Sequence, residues 1–246
     1  MYDPRISIIE KRLKKIGKVI AVSSGKGGVG KSLFASALAL ALTKKGFRTG
    51  LFDIDFTSPT THIVLGAANL SPRESKGLIP PKIYGLKYMS LVFYIGNRSI
   101  PLRGADLSNV LVEMLATTLW GNLNFLVIDM PPGMSDLLLD VIKYVSKTHF
   151  LIVTTPSKMA FETVRRLMNL LRDLKVPILG VIENMKMDDS NYVEREVKSL
   201  GEKFLGEIHF DSGLEKALGD IKSLLKTSFM SEIEEAILAK NPEITS

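Results

Sequence analysis

Short apolar runs alternate with longer amphipathic stretches along most of the chain. The short runs are rich in Val, Ile, Leu and Phe, which predicts strands buried on both faces. These predicted strands are 18–22, 49–55, 87–95, 125–130, 150–155 and 176–183. The predicted helices are 32–45, about 107–119, 135–146, 158–174 and 215–240. Repeated strand–helix units of this kind predict a single-domain α/β fold, with a mostly parallel sheet and helices on both faces.

The first residues carry a helical pattern of their own. Apolar side chains recur there at helical spacing, at Ile6, Ile9, Leu13 and Ile16. This spacing predicts an amphipathic helix ahead of the first strand. We therefore divide the chain into a basic amphipathic segment, 1–17, and one domain, 18–240. The stretch 71–86 is rich in Pro, Gly and Ser, which is typical of a surface loop.

The composition is that of a globular protein, with 46% of the 246 residues hydrophobic and 24% charged. No apolar run approaches the ~18–20 residues that span a membrane. The N-terminus has neither the apolar core nor the cleavage site of a signal peptide. We therefore expect a cytoplasmic protein with no integral membrane association. Cysteine is absent, which excludes thiolate metal sites and an iron–sulfur cluster bound by residues of this chain.

The net charge of +6 is unevenly distributed along the chain. Residues 1–48 hold eleven Lys/Arg against two Asp/Glu, a balance of +9, which leaves 21 against 24 elsewhere. The basic side chains nearest the N-terminus include Lys11, Arg12, Lys14, Lys15 and Lys18. Two interpretations stay open: a solvated helix face, or attraction to nucleic acid or anionic lipid.

A glycine-rich segment follows the first predicted strand and opens the first long predicted helix. Its sequence, GKGGVGKS at 25–32, matches the phosphate-binding pattern G-x-x-x-x-G-K-[ST]. The candidate nucleotide-binding residues are Gly25, Lys26, Gly27, Gly28, Val29, Gly30, Lys31 and Ser32. Glycines let successive backbone N–H groups point at phosphate oxygens, Lys31 adds positive charge, and the Ser32 hydroxyl is a candidate Mg²⁺ ligand.

Three aspartates end two of the predicted strands. Asp53 and Asp55 end the second strand, and Asp129 ends the strand 125–130. Open α/β sheets bind ligands at the carboxyl ends of their parallel strands. Together with the glycine-rich segment, these carboxylates predict a Mg²⁺–nucleotide site, with Ser32, Asp53 and Asp129 as the candidate metal ligands.

The motifs resemble those of the MinD/ParA/Mrp superfamily of P-loop ATPases. KGGVGKS, with a lysine at Lys26, resembles the deviant Walker A motif of that superfamily. LFDIDFTSPT at 51–60 resembles its switch I, and FLVIDMPPGMSD at 125–136 resembles the Walker B motif and switch II of Mrp-type proteins. The likeness runs from about residue 18 to the 230s and implies the three-layer P-loop NTPase fold.

The resemblance also implies roles for individual residues. Lys26 would reach across an ATP-sandwiching homodimer to the partner's nucleotide, while Lys31 serves the nucleotide of its own subunit. Asp55 would orient the attacking water, and Asp53 and Asp129 would surround Mg²⁺. Asn184, in the motif GVIENM, would contact the adenine. With Lys26, Lys31 and Asp55 as catalytic groups, the chain is expected to hydrolyse ATP slowly and only as a dimer.

This sequence departs from the Mrp pattern at three places. The segment 185–201, where cluster-carrying relatives have a C-x-x-C pair, contains no cysteine. Met134 and Ser135 replace the Thr-Gly of the switch II motif, and His209 stands where a proline is usual near the base. The expected cofactors are therefore ATP and Mg²⁺, without an iron–sulfur cluster bound by the chain's own residues.

Three functions remain open on the sequence. The first is a Mrp-type ATPase switch, related to iron–sulfur cluster assembly, that acts on a protein client or a cysteine-bearing relative. The second is a ParA-like ATPase that binds DNA non-specifically. The third is a MinD-like ATPase of the membrane surface, which ranks last because the acidic end, SEIEEAILAKNPEITS, would be repelled by anionic lipid.

Overall fold

An eight-stranded sheet runs through the centre of the computed structural model, which describes residues 3–96 and 104–245. The strands of the described residues are β1 (Ile16–Ser23), β2 (Thr49–Asp53), β3 (Arg73–Glu74), β4 (Leu78–Ile79), β5 (Lys82–Ile83), β6 (Leu86–Ser90), β7 (Leu123–Asp129), β8 (Thr148–Thr154), β9 (Ile178–Lys186) and β10 (Phe204–His209). Of these, β3 and β4 form a separate antiparallel pair, and the other eight form the large sheet. The order in the large sheet is β10-β9-β8-β1-β7-β2-β6-β5. Within the large sheet every pair is parallel except β5–β6, so all its strands but β5 begin at one edge and end at the other.

Helices cover both faces of this sheet. They are α1 (Pro4–Leu13), α2 (Lys31–Lys44), α3 (Thr61–Val64), α4 (Val92–Ile95), α5 (Ala105–Thr117), α6 (Asp136–Tyr144), α7 (Lys158–Asp173), α8 (Tyr192–Ser199), α9 (Ile221–Leu224) and α10 (Ser228–Ile233). Leu214–Ala217 and Pro242–Ile244 form 3₁₀ turns, and Glu234–Ala239 forms a π-helical segment. Within the described ranges, no helix is both long and apolar enough to cross a bilayer.

Two hydrophobic cores lie on opposite faces of the sheet. Successive side chains of each central strand pack alternately into one core and the other. In β1, Val19 and Ala21 pack into the core beneath α1, α5, α6 and α7, whereas Ile20 and Val22 pack into the core beneath α2 and α10. Side chains alternate faces along a strand, so a strand covered on both faces reads as a continuous apolar run. The predicted three-layer α/β fold is thereby confirmed.

The predicted elements differ from the structure in several places. The strand predicted at 87–95 ends at Ser90, whose hydroxyl accepts a hydrogen bond from the Val92 amide (3.3 Å) and opens α4. The 71–86 loop contains the short strands β3, β4 and β5. The helix predicted at 215–240 is broken into short segments, with a left-handed residue at Gly219 and a new cap at Thr227. The helices α3 and α8 and the strand β10 were not predicted; in β10, Gly206 interrupts the apolar pattern. Ile16, which was predicted to continue the first helix, begins β1 because α1 ends at Leu13.

Candidate active site

The parallel register brings the candidate acidic residues together at the carboxyl edge of the sheet, defined as the edge where the parallel strands end. Asp53 at the end of β2 is the direct cross-strand partner of Asp129 at the end of β7. On its other side, Asp129 pairs with Val22, one residue before the end of β1. The glycine-rich segment leaves from β1, so it lies against both carboxylates.

The backbone of the glycine-rich segment is fixed from outside by Asn184. Gly30 has φ +79° and forms the N-cap of α2, a left-handed conformation that glycine adopts without cost. A Cβ at Gly30 would also collide with Asn184 Nδ2. That same nitrogen donates a hydrogen bond to the Val29 carbonyl oxygen (2.9 Å). Asn184 therefore holds the phosphate-binding segment in place, while its predicted contact with adenine stays a prediction.

Lys31 and Asp129 form a buried ion pair beneath this segment. The Lys31 Nζ–Asp129 Oδ1 distance is 2.6 Å, and the two side chains are 6% and 0% exposed. Lys31 Nζ also donates to the Ser32 hydroxyl at 3.2 Å. The other carboxylate oxygen, Asp129 Oδ2, is buried and has no hydrogen-bond partner among the described residues. An unsatisfied buried carboxylate oxygen is costly, so this atom is a ready ligand for a cation.

Asp53 is held by a chain of hydroxyl groups that reaches into the sheet. Its Oδ1 accepts the Asp55 amide (3.1 Å), and its Oδ2 accepts the Thr61 hydroxyl (2.5 Å), which lies 2.8 Å from the Tyr88 hydroxyl. Burial, and then the negative charge of Asp129, raise the pKa of Asp53 to about 8. Burial also raises the pKa of Asp129, against the opposing effect of Lys31. A cation bound here would relieve both carboxylates.

Asp55 lies in the wall of the cavity above the ion pair. One of its oxygens accepts hydrogen bonds from the Thr57 hydroxyl (3.0 Å) and the Ser58 amide (3.2 Å), which fixes the side chain. The cavity has a volume of about 600 Å³. Its lining includes the segment from Lys26 to Leu33 together with Asp55, Ser58, Pro132 and Glu215. This volume falls in the range of small-molecule sites.

Lys26 differs from Lys31 in its exposure and in its ion pairing. Its side chain is exposed at the mouth of the cavity, and it forms no ion pair within the described parts of the chain. Its backbone is nevertheless ordered, because the Ser24 hydroxyl donates to the Lys26 carbonyl oxygen at 3.0 Å. The segment therefore presents one lysine inward and one outward.

The donor set fits Mg²⁺ only when a nucleotide completes it. Ser32, Asp53 and Asp129 supply oxygen atoms, the ligands that hard divalent cations prefer. Among the described residues, however, no cluster of three or more His, Cys, Asp and Glu could hold a metal alone. Mg²⁺ commonly uses one or two carboxylates together with substrate phosphates, and this arrangement meets that requirement.

Most predicted site residues therefore meet at one edge. The segment 25–32, Asp53, Asp55 and Asp129 surround one cavity and its floor. Sequence reasoning missed Thr61 and Tyr88, which support Asp53, and Thr163 on α7. A Cβ at Gly25 would lie 2.7 Å from the backbone carbonyl carbon of Thr163. These contacts join residues far apart in the chain, so no local sequence pattern predicts them.

The family of this chain follows from a match to a protein-family model. The model described as "ParA: NUBPL iron-transfer P-loop NTPase" matches residues 15–245. The chain belongs to this family. Two proteins similar to this chain are the iron–sulfur cluster carrier protein of Aquifex aeolicus, 35% identical over 237 residues, and the chloroplastic Fe-S cluster assembly factor HCF101 of Oryza sativa subsp. japonica, 42% identical over 183 residues.

Coverage of these relatives is unequal. The Aquifex alignment covers 95% of this chain and 65% of the relative, and the rice alignment covers 73% of this chain and 34% of the relative. The chain thus spans between about one third and two thirds of the relatives' lengths.

A solved structure of the same fold carries a nucleotide. The nucleotide-binding protein of Archaeoglobus fulgidus in complex with ADP has a TM-score of 0.78 and 29% identity, and covers 92% of this chain and 96% of that one. The MinD cell division protein of Aquifex aeolicus, at TM-score 0.66 and 22% identity, shares the fold; that alignment covers 89% of this chain and 94% of that one.

Proposed function

We propose that this P-loop NTPase binds and hydrolyses Mg-ATP as a homodimeric switch in iron–sulfur cluster assembly. The observation that carries the proposal is the Lys31–Asp129 pair beneath the glycine-rich segment, with Asp129 Oδ2 buried and without a hydrogen-bond partner among the described residues. A lysine that leaves this carboxylate for a phosphate, and a carboxylate that then binds the Mg²⁺ hydration shell, satisfy both groups together.

Each residue of the site has a distinct task in this proposal. The backbone amides from Gly27 to Lys31 bind the β- and γ-phosphates, and Lys31 neutralises their charge. Asp55, fixed by Thr57 and Ser58, orients the attacking water. Mg²⁺, when bound, neutralises charge on the transferred phosphoryl group.

The exposed lysine supports the dimer. Lys26 forms no ion pair among the described residues, and its side chain is exposed at the cavity mouth. Supplied by a second copy, it would add a cation to the phosphates of the first. Phosphoryl transfer depends mainly on positioning and charge stabilisation, so a cation that arrives with the partner couples hydrolysis to dimerisation.

The absence of cysteine shapes the role in cluster assembly. Since these 246 residues provide no thiolate, the switch would act on a protein client or a cysteine-bearing relative rather than carry the cluster itself. Anaerobic reconstitution with iron and sulfide should therefore leave the purified protein without stoichiometric iron. One cluster per dimer would contradict this part of the proposal.

The experiment that tests the function measures ATP binding and phosphate release by the purified protein, with Mg²⁺ and with EDTA. We expect micromolar binding that requires Mg²⁺ for turnover, with a specific activity that rises with protein concentration as dimers form. Turnover independent of Mg²⁺, or no ATP binding at all, would overturn it.

A further inference from the structure

The edge opposite the nucleotide site is lined by lysine and arginine. We define the amino edge as the edge where the parallel strands begin. Lys14 and Lys15 immediately precede β1, Arg48 precedes β2, Lys147 precedes β8, and Lys175 lies three residues before β9. All five side chains are exposed. Because β9, β8, β1, β7 and β2 are consecutive in the sheet, the five cations form one row.

Two carboxylates beside this row form no ion pair among the described residues: Glu10, one helical turn before Lys14, and Asp173, two residues before Lys175. None of the five side chains has an ion-pair partner in the part of the chain that the structure describes. Two acidic residues close to the same edge, Glu202 and Glu243, already pair with Arg172 and Lys203. Five cations against Glu10 and Asp173 leave the row with a net positive charge.

The cations extend the row beyond β2 and crowd one another there. The pKa of Lys87, at the start of β6, is lowered first by burial and then by the positive charges of Lys82 and Arg48. Like charges held this close oppose folding unless something anionic binds them.

Two of the lysines occupy backbone conformations that normally favour glycine. Lys147 has φ +65° and Lys175 has φ +55°. Lys175 ends α7 in the same hydrogen-bonded turn that Gly46, at φ +90°, forms after α2. Left-handed conformations are strained for residues with a Cβ, so lysine stands at these two positions against the local backbone preference.

Four of the five basic side chains noted near the N-terminus divide into two groups. Arg12 donates to the Thr118 carbonyl oxygen (3.0 Å), and Lys18 donates to the carbonyl oxygens of Glu243 (3.1 Å) and Ile244 (3.0 Å), so both hold the fold together. Lys14 and Lys15 instead join the row.

The dimensions and chemistry of the row fit a polyanion. Strands lie ~4.8 Å apart, so the row from β9 to β2 spans roughly 19 Å, about the length of six base pairs of duplex. The exposed large apolar residues at this edge, Leu174 and Tyr84, lie near opposite ends of the sheet and form no patch. Protein interfaces depend on a buried apolar centre, whereas phosphate contacts need only cations.

We propose that the amino edge binds the phosphate backbone of duplex nucleic acid, without sequence specificity and without a requirement for ATP. The nucleotide cavity lies at the other edge, so no residue of the row contacts it. In a dimer joined through its nucleotide sites, the two rows would face away from each other. Dimerisation would then leave the intrinsic affinity of each row unchanged.

The test is fluorescence anisotropy of a labelled 30-base-pair DNA duplex of mixed sequence, titrated with the full chain between 50 and 200 mM salt. With about five phosphates neutralised, log affinity should fall against log salt with a slope of about −4 to −5, a loss of several hundred-fold over that range. Saturating Mg-ATP should change the affinity by less than about three-fold. A binding increase of ten-fold or more with ATP would overturn the proposal.

The decisive variant is Lys147→Gly/Lys175→Gly. It should weaken duplex binding at least ten-fold at 100 mM salt and reduce the slope by about 2. Because glycine suits both backbone positions, its thermal midpoint should stay the same or rise by roughly 2–4 °C. Loss of binding with a lowered midpoint would instead indicate a structural role and contradict the proposal.

Two controls complete the test. Lys158→Gln/Lys226→Gln removes the same charge from exposed positions outside the row, and should change duplex binding by less than about three-fold. An equal loss in this variant would show that net charge alone drives binding. Polyglutamate of matched charge should bind much more weakly than the duplex; equal binding, lost in the same glycine variant, would assign the edge to acidic proteins and overturn the choice of nucleic acid.

Discussion

The two edges of the sheet use positive charge in opposite ways. At the carboxyl edge Lys31 is buried and paired with a buried carboxylate, so its ammonium group is held in one position. At the amino edge Lys14, Lys15, Lys147 and Lys175 are exposed, form no ion pair among the described residues, and are screened by water and salt. Burial therefore separates a lysine that can recognise one phosphate group precisely from lysines that together can only attract a polyanion.

The same contrast appears on a smaller scale inside the nucleotide site. Lys31 and Lys26 are five residues apart, yet one lies beneath the glycine-rich segment and the other at the mouth of the cavity. In the proposed dimer, the first would act within its own subunit and the second on the nucleotide of the other. Substitutions at the two edges, and at the two lysines, should therefore fail in different ways.

The largest effect is expected from Lys31→Ala. Removing this lysine takes a charge-assisted contact from the phosphates and leaves Asp129 buried without its partner, a change worth roughly 3–5 kcal/mol for buried pairs. ATP affinity, measured by calorimetry, should fall by at least about 100-fold. The matched control is Lys45→Ala, an exposed lysine at the amino edge, which should bind ATP normally. ATP affinity within three-fold of wild type in Lys31→Ala would contradict the role of the buried pair.

A smaller loss, confined to turnover, is expected from Asp55→Asn. The amide keeps the size of the side chain but removes the charge that would align water, so ATP should still bind while phosphate release slows by about 100-fold. Separate measurements of binding and single-turnover hydrolysis distinguish the two. If binding and turnover fall together, Asp55 supports the cavity and does not act on water.

Two glycines of the same segment should respond unequally. Gly30→Ala forces a Cβ into Asn184 at a left-handed position, so ATP affinity should fall about ten-fold and the thermal midpoint should drop. Gly27→Ala meets nothing within 4 Å at an ordinary φ, and should cost little. Equal effects of the two substitutions would mean that local strain does not set the geometry of the segment.

The smallest effect belongs to the amino edge and concerns stability alone. Lys175→Gly removes the backbone strain of a lysine with positive φ, at a turn position that Gly46 occupies after α2. The substitution should stabilise the fold by up to about 1 kcal/mol. Chemical denaturation would measure it as a higher midpoint with an unchanged slope. A lower midpoint would mean that the Lys175 side chain makes contacts that offset its backbone strain.

The sequence predicts the two edges unequally well. Asp53, Asp55 and Asp129 could be placed at one edge because parallel strands end together, and the glycine-rich pattern identified the segment beside them. The ion pair of Lys31 with Asp129 could not be predicted, since it depends on how β1 and β7 pair. The support of Asp53 by Thr61 and Tyr88 likewise joins three separate elements.

The row of cations was visible in the sequence only in part. Lys14 and Lys15 stood out because they lie in a basic run, whereas Lys147 and Lys175 are single lysines in unremarkable turns. Only the strand order places them beside each other. Their left-handed backbone is also invisible to a pattern search, because nothing but the turn geometry requires it.

The most direct test of the central claim, that Lys26 acts outward while Lys31 acts inward, is the mass in solution of Asp55→Asn with and without Lys26→Ala, under saturating Mg-ATP. Light scattering should show Asp55→Asn shifting from 27.2 kDa to twice that mass. The double variant should bind ATP with similar affinity and remain at 27.2 kDa. A double variant that dimerises as fully as Asp55→Asn alone would contradict the account.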